Sequence, residues 1–162
     1  MSIASEMYKC NTSEWETPQD VFDYWRNEYH LNLDIAASRE NHKCESYYTK
    51  EEDAFEHIDE WRGNIWCNPP YGKGLERWVE ACANYSNGIA VMLIPVRTGA
   101  KWWKELIWNN PKVERIHFFD GHLRSGDTKK KVYFYSCIVV FNYKRADDAR
   151  TPEERLNGWQ RY

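Results

Sequence analysis

Apolar and polar positions along the chain alternate in two rhythms, and the switches between them lay out its elements. After a polar arm at residues 1–14, Thr17-Pro18 opens a helix, with Thr17 as N-cap, Pro18 at the first helical position and Asp20 in the first turn. Val21, Phe22, Trp25 and Tyr29 recur at helical spacing and mark its inward face. Leu31-Asn32-Leu33-Asp34-Ile35-Ala36 then alternates as a strand does before it runs into a loop. Residues 37–63 are polar, with a short strand at Tyr47-Tyr48-Thr49 and a helix from about Asp53 to Glu60. Asn64-Ile65-Trp66-Cys67 reads as a short buried strand. It must stop at Pro69-Pro70, because proline cannot donate to a ladder.

Gly72-Lys73-Gly74 turns the chain into a helix with Leu75, Trp78, Val79, Cys82 and Ala83 as its apolar stripe. The run Gly88 to Pro95 is apolar throughout, too short for most helices and bounded by Gly and Pro, so it predicts a strand buried on both faces. A helix over about residues 99–109 with Trp103, Leu106 and Ile107 inward, a strand over 114–119 and a long strand over 132–143 complete the pattern. Strands alternating with amphipathic helices predict a three-layer α/β domain with a mostly parallel sheet and a late antiparallel strand. In such sheets ligands bind beyond the carboxyl ends of the strands. The domain is placed at residues 15–145, between the arm and a charged tail or surface helix at 146–162.

Composition narrows the function. A chain of 162 residues can bury a core as one domain without disulfides or a structural metal. The net charge of −3 excludes a globally basic coat, so any contact with nucleic acid must come from a local patch and a shaped pocket. Nine tryptophans and eleven tyrosines can fill a core or stack on bases, and most are assigned to the core. Cys10, Cys44, Cys67, Cys82 and Cys137 are scattered, odd in number and free of any CxxC pair, which points to reduced thiols. His42 and Cys44 have no second pair to complete a zinc set, so no metal is expected. The N-terminus has no apolar leader, and no stretch approaches the roughly 20 apolar residues of a membrane span. A soluble, cytoplasmic protein is expected.

The candidate chemistry sits at Asn68-Pro69-Pro70-Tyr71. An exocyclic amine on a nucleobase is a poor nucleophile because its lone pair is delocalised into the ring. The side-chain oxygen of Asn68 and the main-chain oxygen of Pro69 can both accept hydrogen bonds from it and draw electron density onto nitrogen as it attacks a methyl donor. Pro70 holds its predecessor extended and adds no competing N–H. Tyr71 offers a face on which an extruded base stacks. Taken alone, the four residues also describe a rigid strand-ending turn with an incidental tyrosine. Their place after a buried strand and before a Gly-hinged helix favours the chemical reading.

Trp15-Glu16-Thr17-Pro18, Leu33-Asp34-Ile35-Ala36-Ala37 with Asn41 and Cys44, Tyr47-Tyr48-Thr49, Trp61, Trp66-Cys67-Asn68-Pro69-Pro70-Tyr71 and Leu93-Ile94-Pro95 resemble the phage-type DNA N6-adenine methyltransferases (Dam-like), over roughly residues 15–143. The resemblance implies a Rossmann-like methyltransferase fold, S-adenosylmethionine as donor and adenine in double-stranded DNA as acceptor, in a bacterial or phage-infected cell. It also implies that Trp15, Thr17 and Pro18 close over the cofactor, that Asp34, Ile35 and Ala36 form the cofactor loop, and that Asp53 contacts ribose or adenosine. One departure is the absence of glycine after the first strand, where Ala36 and Ala37 must allow the close approach. Read locally, Thr17 and Asp53 are equally helix caps and Asp34 a turn former.

For DNA, the basic stretch containing Arg124, Lys129, Lys130 and Lys131 is a candidate phosphate-contacting or target-reading loop, and Arg97 and Thr98 are candidate contacts to the target nucleotide. Cytosine N4 is chemically the same kind of acceptor and stays open, as does a non-catalytic DNA-binding protein on a methyltransferase scaffold. C5 methylation is disfavoured, since it needs a thiolate that such enzymes present after proline, and the chain has no Pro-Cys dipeptide.

Overall fold

The computed structural model describes residues 15–123 and 134–145. The expected arm at 1–14, the basic-loop residues Arg124, Lys129, Lys130 and Lys131, and the tail at 146–162 lie outside the described residues.

Helix α1 (Gln19–Tyr29) forms where Phe22, Trp25 and Tyr29 repeat on one face, all three buried, and it ends at His30 in the left-handed region. The start differs from expectation. Pro18 occupies the N-cap position with no side-chain cap, and its carbonyl accepts from Phe22 N at 3.1 Å. Thr17 does not cap the helix because its hydroxyl is turned to a partner far along the chain, described below.

The strands are β1 (Leu33–Ala37), β2 (Ser46–Thr49), β3 (Ile65–Cys67), β4 (Ile89–Pro95), β5 (Val113–Phe118) and β6 (Ser136–Asn142). They form one sheet in the order β2-β1-β3-β4-β6-β5. The pairs β1–β2, β1–β3 and β3–β4 are parallel, and β6 runs antiparallel between β4 and β5. The mostly parallel sheet and its late antiparallel strand match the expectation from periodicity.

Alternation along the central strands divides the core. Cys67, Ala90, Met92, Ile94, Val139 and Phe141 join one buried cluster with Leu75, Val79 and Cys82 of α2 (Leu75–Asn84). Trp66, Val91, Leu93, Ile138 and Val140 join the other with Phe22, Trp25 and Tyr29 of α1. Helices on both faces explain why β4 is apolar at every position.

Two predicted helices take other forms. Residues Ala54–Glu60 are a 3-10 segment with a kink at His57. Residues Trp103–Trp108 are a π-helical turn, closed by Asn109 N donating to Lys104 O at 2.9 Å, which still buries Trp103 and Ile107. Among the described residues no helix is long and apolar enough to cross a membrane.

The amino ends of the parallel strands are clamped by polar contacts. Asn64 donates to Tyr29 O at 2.7 Å and accepts from Ile89 N at 2.9 Å, while its own N–H donates to Asn32 Oδ1 at 2.7 Å. Gly88 and Gly63 touch there: a Cβ at Gly88 would lie 1.9 Å from Gly63 O. The carboxyl ends are left for the site.

Candidate active site

The chain leaves β1 to pair β2 on one side, then returns to pair β3 on the other. That reversal opens a crevice at the carboxyl ends of β1 and β3, where open α/β sheets bind ligands. Asn68 is the first residue past β3, and the loop after Ala37 is the first past β1. The two segments singled out in the sequence therefore flank the one crevice.

The side chain of Asn68 is held in one orientation. Its Nδ2 donates to Trp15 O and, at 3.0 Å, to Thr17 Oγ1. A backbone carbonyl can only accept, so the amine end must face Trp15 and the amide oxygen must face the other way. On that side Tyr71 donates its hydroxyl to Asn68 Oδ1 at 2.9 Å, with Leu93 O at 3.4 Å as a second acceptor nearby. Burial raises the phenol of Tyr71 well above its ordinary value, so it is a neutral donor. Pro69 is buried and Pro70 exposed.

Aromatic rings border this group. Tyr71 meets Phe134 edge-on at 5.2 Å between centroids, and Phe134 meets Trp15 edge-on at 6.1 Å. Tyr71 thus turns its hydroxyl inward, while its half-buried ring stands edge-on to Phe134. Thr17 is 2 % exposed, which makes its link to Asn68 a buried one.

Asp34 shapes the loop after β1. It is 3 % exposed, and its carboxylate accepts from Ala36 N at 3.2 Å and from Lys43 N at 2.9 Å. Burial outweighs these bonds and raises its pKa to about 6. Lys43 in turn reaches Gln19 Oε1 at 3.2 Å and Glu16 at 3.8 Å, so this loop is tied to the segment that covers Asn68. Ile35 is buried in the core, whereas Ala36 is half-buried near the strand end.

Asp53 stands apart from this group, past the end of β2. It adopts φ 42° and accepts from Phe55 N at 3.0 Å as the cap of the 3-10 segment. Glu52, which the sequence reading passed over, accepts from both the N–H and the hydroxyl of Thr49 at 3.0 and 3.1 Å.

Arg97 and Thr98 are exposed just beyond β4. Arg97 lines a cavity of about 280 Å³ together with Gly72, Lys73, Glu76 and Trp102. Phe134, Lys73 and Trp102 escaped the sequence reading. Only Lys73 had a local signal, its place between two glycines directly after the motif.

Against this geometry, the family model for DNA N-6-adenine-methyltransferase (Dam) matches residues 4–149. The chain belongs to that family. It is also 30% identical over 124 residues to a DNA N-6-adenine-methyltransferase of Escherichia phage T1, a match covering 68% of this chain and 50% of the relative. The chain spans about half the length of the curated relative it matches. The resemblance drawn from Asn68 to Tyr71 and the segments around it is thereby upheld for the family.

Proposed function

We propose that the chain is a DNA methyltransferase that transfers a methyl group from S-adenosylmethionine to N6 of adenine in double-stranded DNA, on a three-layer Rossmann-like fold. The observation that carries this reading is Asn68: an amide oxygen aimed away from its anchored nitrogen, at the carboxyl end of β3, in the switch-point crevice.

The crevice suits such a donor. Asn68 Oδ1 and Leu93 O present partial negative charge, and the rings of Trp15, Tyr71 and Phe134 suit a cationic sulfur. S-adenosylmethionine supplies an electrophilic methyl group. Trp15, Thr17 and Pro18 would hold it from above, and Asp34, Ile35 and Ala36 from the end of β1. Asp53, past the end of β2, would meet the ribose or adenosine part through its second carboxylate oxygen, while the first keeps its cap on Phe55.

The target amine would donate to Asn68 Oδ1 and Pro69 O. As the bond from sulfur to methyl breaks and the new bond to nitrogen forms, nitrogen gains the positive charge that sulfur loses. These fixed oxygens stabilise it, and the surplus proton then passes to water without a group tuned to the working pH. An amide oxygen accepts two hydrogen bonds, so Tyr71 can keep its bond to Oδ1 while the amine arrives. Arg124, Lys129, Lys130 and Lys131 would hold phosphates or read the target sequence, and the cytoplasm is the proposed location.

Incubation with duplex DNA and methyl-labelled S-adenosylmethionine, followed by nucleoside analysis, tests the reading. Labelled N6-methyladenine is expected, and Asn68→Ala should lower the rate by about 10²-fold or more. Labelled N4-methylcytosine would shift the acceptor. Measured cofactor binding with no transfer to any DNA would overturn the assignment.

A further inference from the structure

The loops leaving β3 and β4 meet at the cavity of about 280 Å³. One wall is Gly72, Lys73, Gly74 and Glu76, immediately after Tyr71, and the other is Arg97 and Trp102, just past the end of β4. Because β3 and β4 are parallel neighbours, both walls stand at the same end of the sheet as Asn68. The cavity lining begins at Gly72, one residue past the motif that carries Asn68.

Its charge is unusual for this chain. The whole sequence carries −3, yet the cavity lining brings Lys73 and Arg97 together against the single carboxylate of Glu76. Both cations are exposed, and neither is in a salt bridge with a described residue. Gly72 and Gly74 sit at φ 117° and 103°, and a Cβ at either would meet nothing within 4 Å, so the loop is open on the cavity side. Two cations against one carboxylate leave one net positive charge, which suits the single charge of a phosphodiester better than a doubly charged terminal phosphate.

We propose that this cavity binds a backbone phosphodiester of the DNA substrate beside the target nucleotide, with Lys73 and Arg97 as its cationic partners and Trp102 as its apolar wall. The inference rests on the reading of the chain as a DNA methyltransferase. An extruded base must be held in register with Asn68, and phosphate contacts supply position without reading sequence.

Fluorescence anisotropy with a duplex oligonucleotide, measured across a salt series, tests it. Lys73→Ala and Arg97→Ala should each weaken binding several-fold on target and non-target duplexes alike. Each should also lower the slope of log affinity against log salt, and the double variant should lower it by about one in all, because a single phosphate is neutralised at the site. Lys73→Arg should keep the wild-type slope. Lys101→Ala removes a nearby exposed cation already paired with Glu105 and should leave the slope in place. Calorimetric affinity for S-adenosylmethionine should not change in any variant. Unchanged slopes for Lys73→Ala and Arg97→Ala, or an equal loss in Lys101→Ala, would overturn the phosphate site. With a wild-type protein that methylates DNA, such a result would leave the proposed activity standing.

Discussion

The hydroxyl of Tyr71 donates to the side-chain oxygen of Asn68 at 2.9 Å, so the motif's aromatic residue is bonded to the atom proposed to receive the target amine. Bond and ring can be separated by mutation. Tyr71→Phe removes one neutral hydrogen bond and should change kcat/KM by no more than about fivefold. Tyr71→Ala also removes the ring and should cost about 10- to 100-fold, in line with base–aromatic stacking. Steady-state methylation of a duplex substrate checks both; equal losses would show that the hydroxyl, not the ring, matters.

Thr17 should act through Asn68. Thr17→Val keeps the buried shape but leaves Asn68 Nδ2 with Trp15 O alone. A loss of about 1 kcal/mol in stability and a several-fold fall in kcat are expected, with Thr17→Ser close to wild type. Thermal unfolding and single-turnover rates measure the two effects.

Asp34 makes stability depend on pH. In the unfolded chain its carboxyl titrates near 3.8, and in the fold burial moves it to about 6, despite amide bonds from Lys43 and Ala36 and the nearby charges of Lys43 and His42. Between about pH 4 and 6 the folded state keeps a proton that the unfolded state has released. Stability from this group is therefore full below the lower value, falls as pH rises and levels off above the higher one. The total is on the order of 3 kcal/mol. Asp34→Asn abolishes the titration but leaves one loop N–H without an acceptor at every pH. Urea unfolding of both proteins from pH 4 to 7 should show the difference moving in favour of the variant; a constant difference would refute the assignment.

Gly88 should be intolerant of a side chain. A methyl group there lies 1.9 Å from Gly63 O, so Gly88→Ala must part the lead-ins of β3 and β4. A loss of about 1–3 kcal/mol is expected by denaturant unfolding.

The strand pattern was legible because burial on both faces writes itself as continuous apolar residues, as in β4, and one-faced burial as the spacing of Phe22, Trp25 and Tyr29. The site was legible as residue types. Their contacts were not: Thr17 reads locally as a cap, and only a partner 51 residues away reveals that its hydroxyl belongs to Asn68. The π-helical turn was hidden for a similar reason, since Trp103 and Ile107 fall inward in either kind of helix. Strand order, which creates the crevice, leaves no trace in local periodicity.

The insertion of β6 between β4 and β5 has a consequence for synthesis. A nascent chain that has emerged only as far as β5 holds β4 with one edge unpaired, and its partner for that edge, residues Ser136–Asn142, is still to come. The most apolar strand of the protein therefore waits longest for its last neighbour, an interval in which it can template pairing with other chains. Ribosome-bound or truncated products ending before Ser136 are expected to depend on chaperones, while addition of residues through Asn142 closes the sheet.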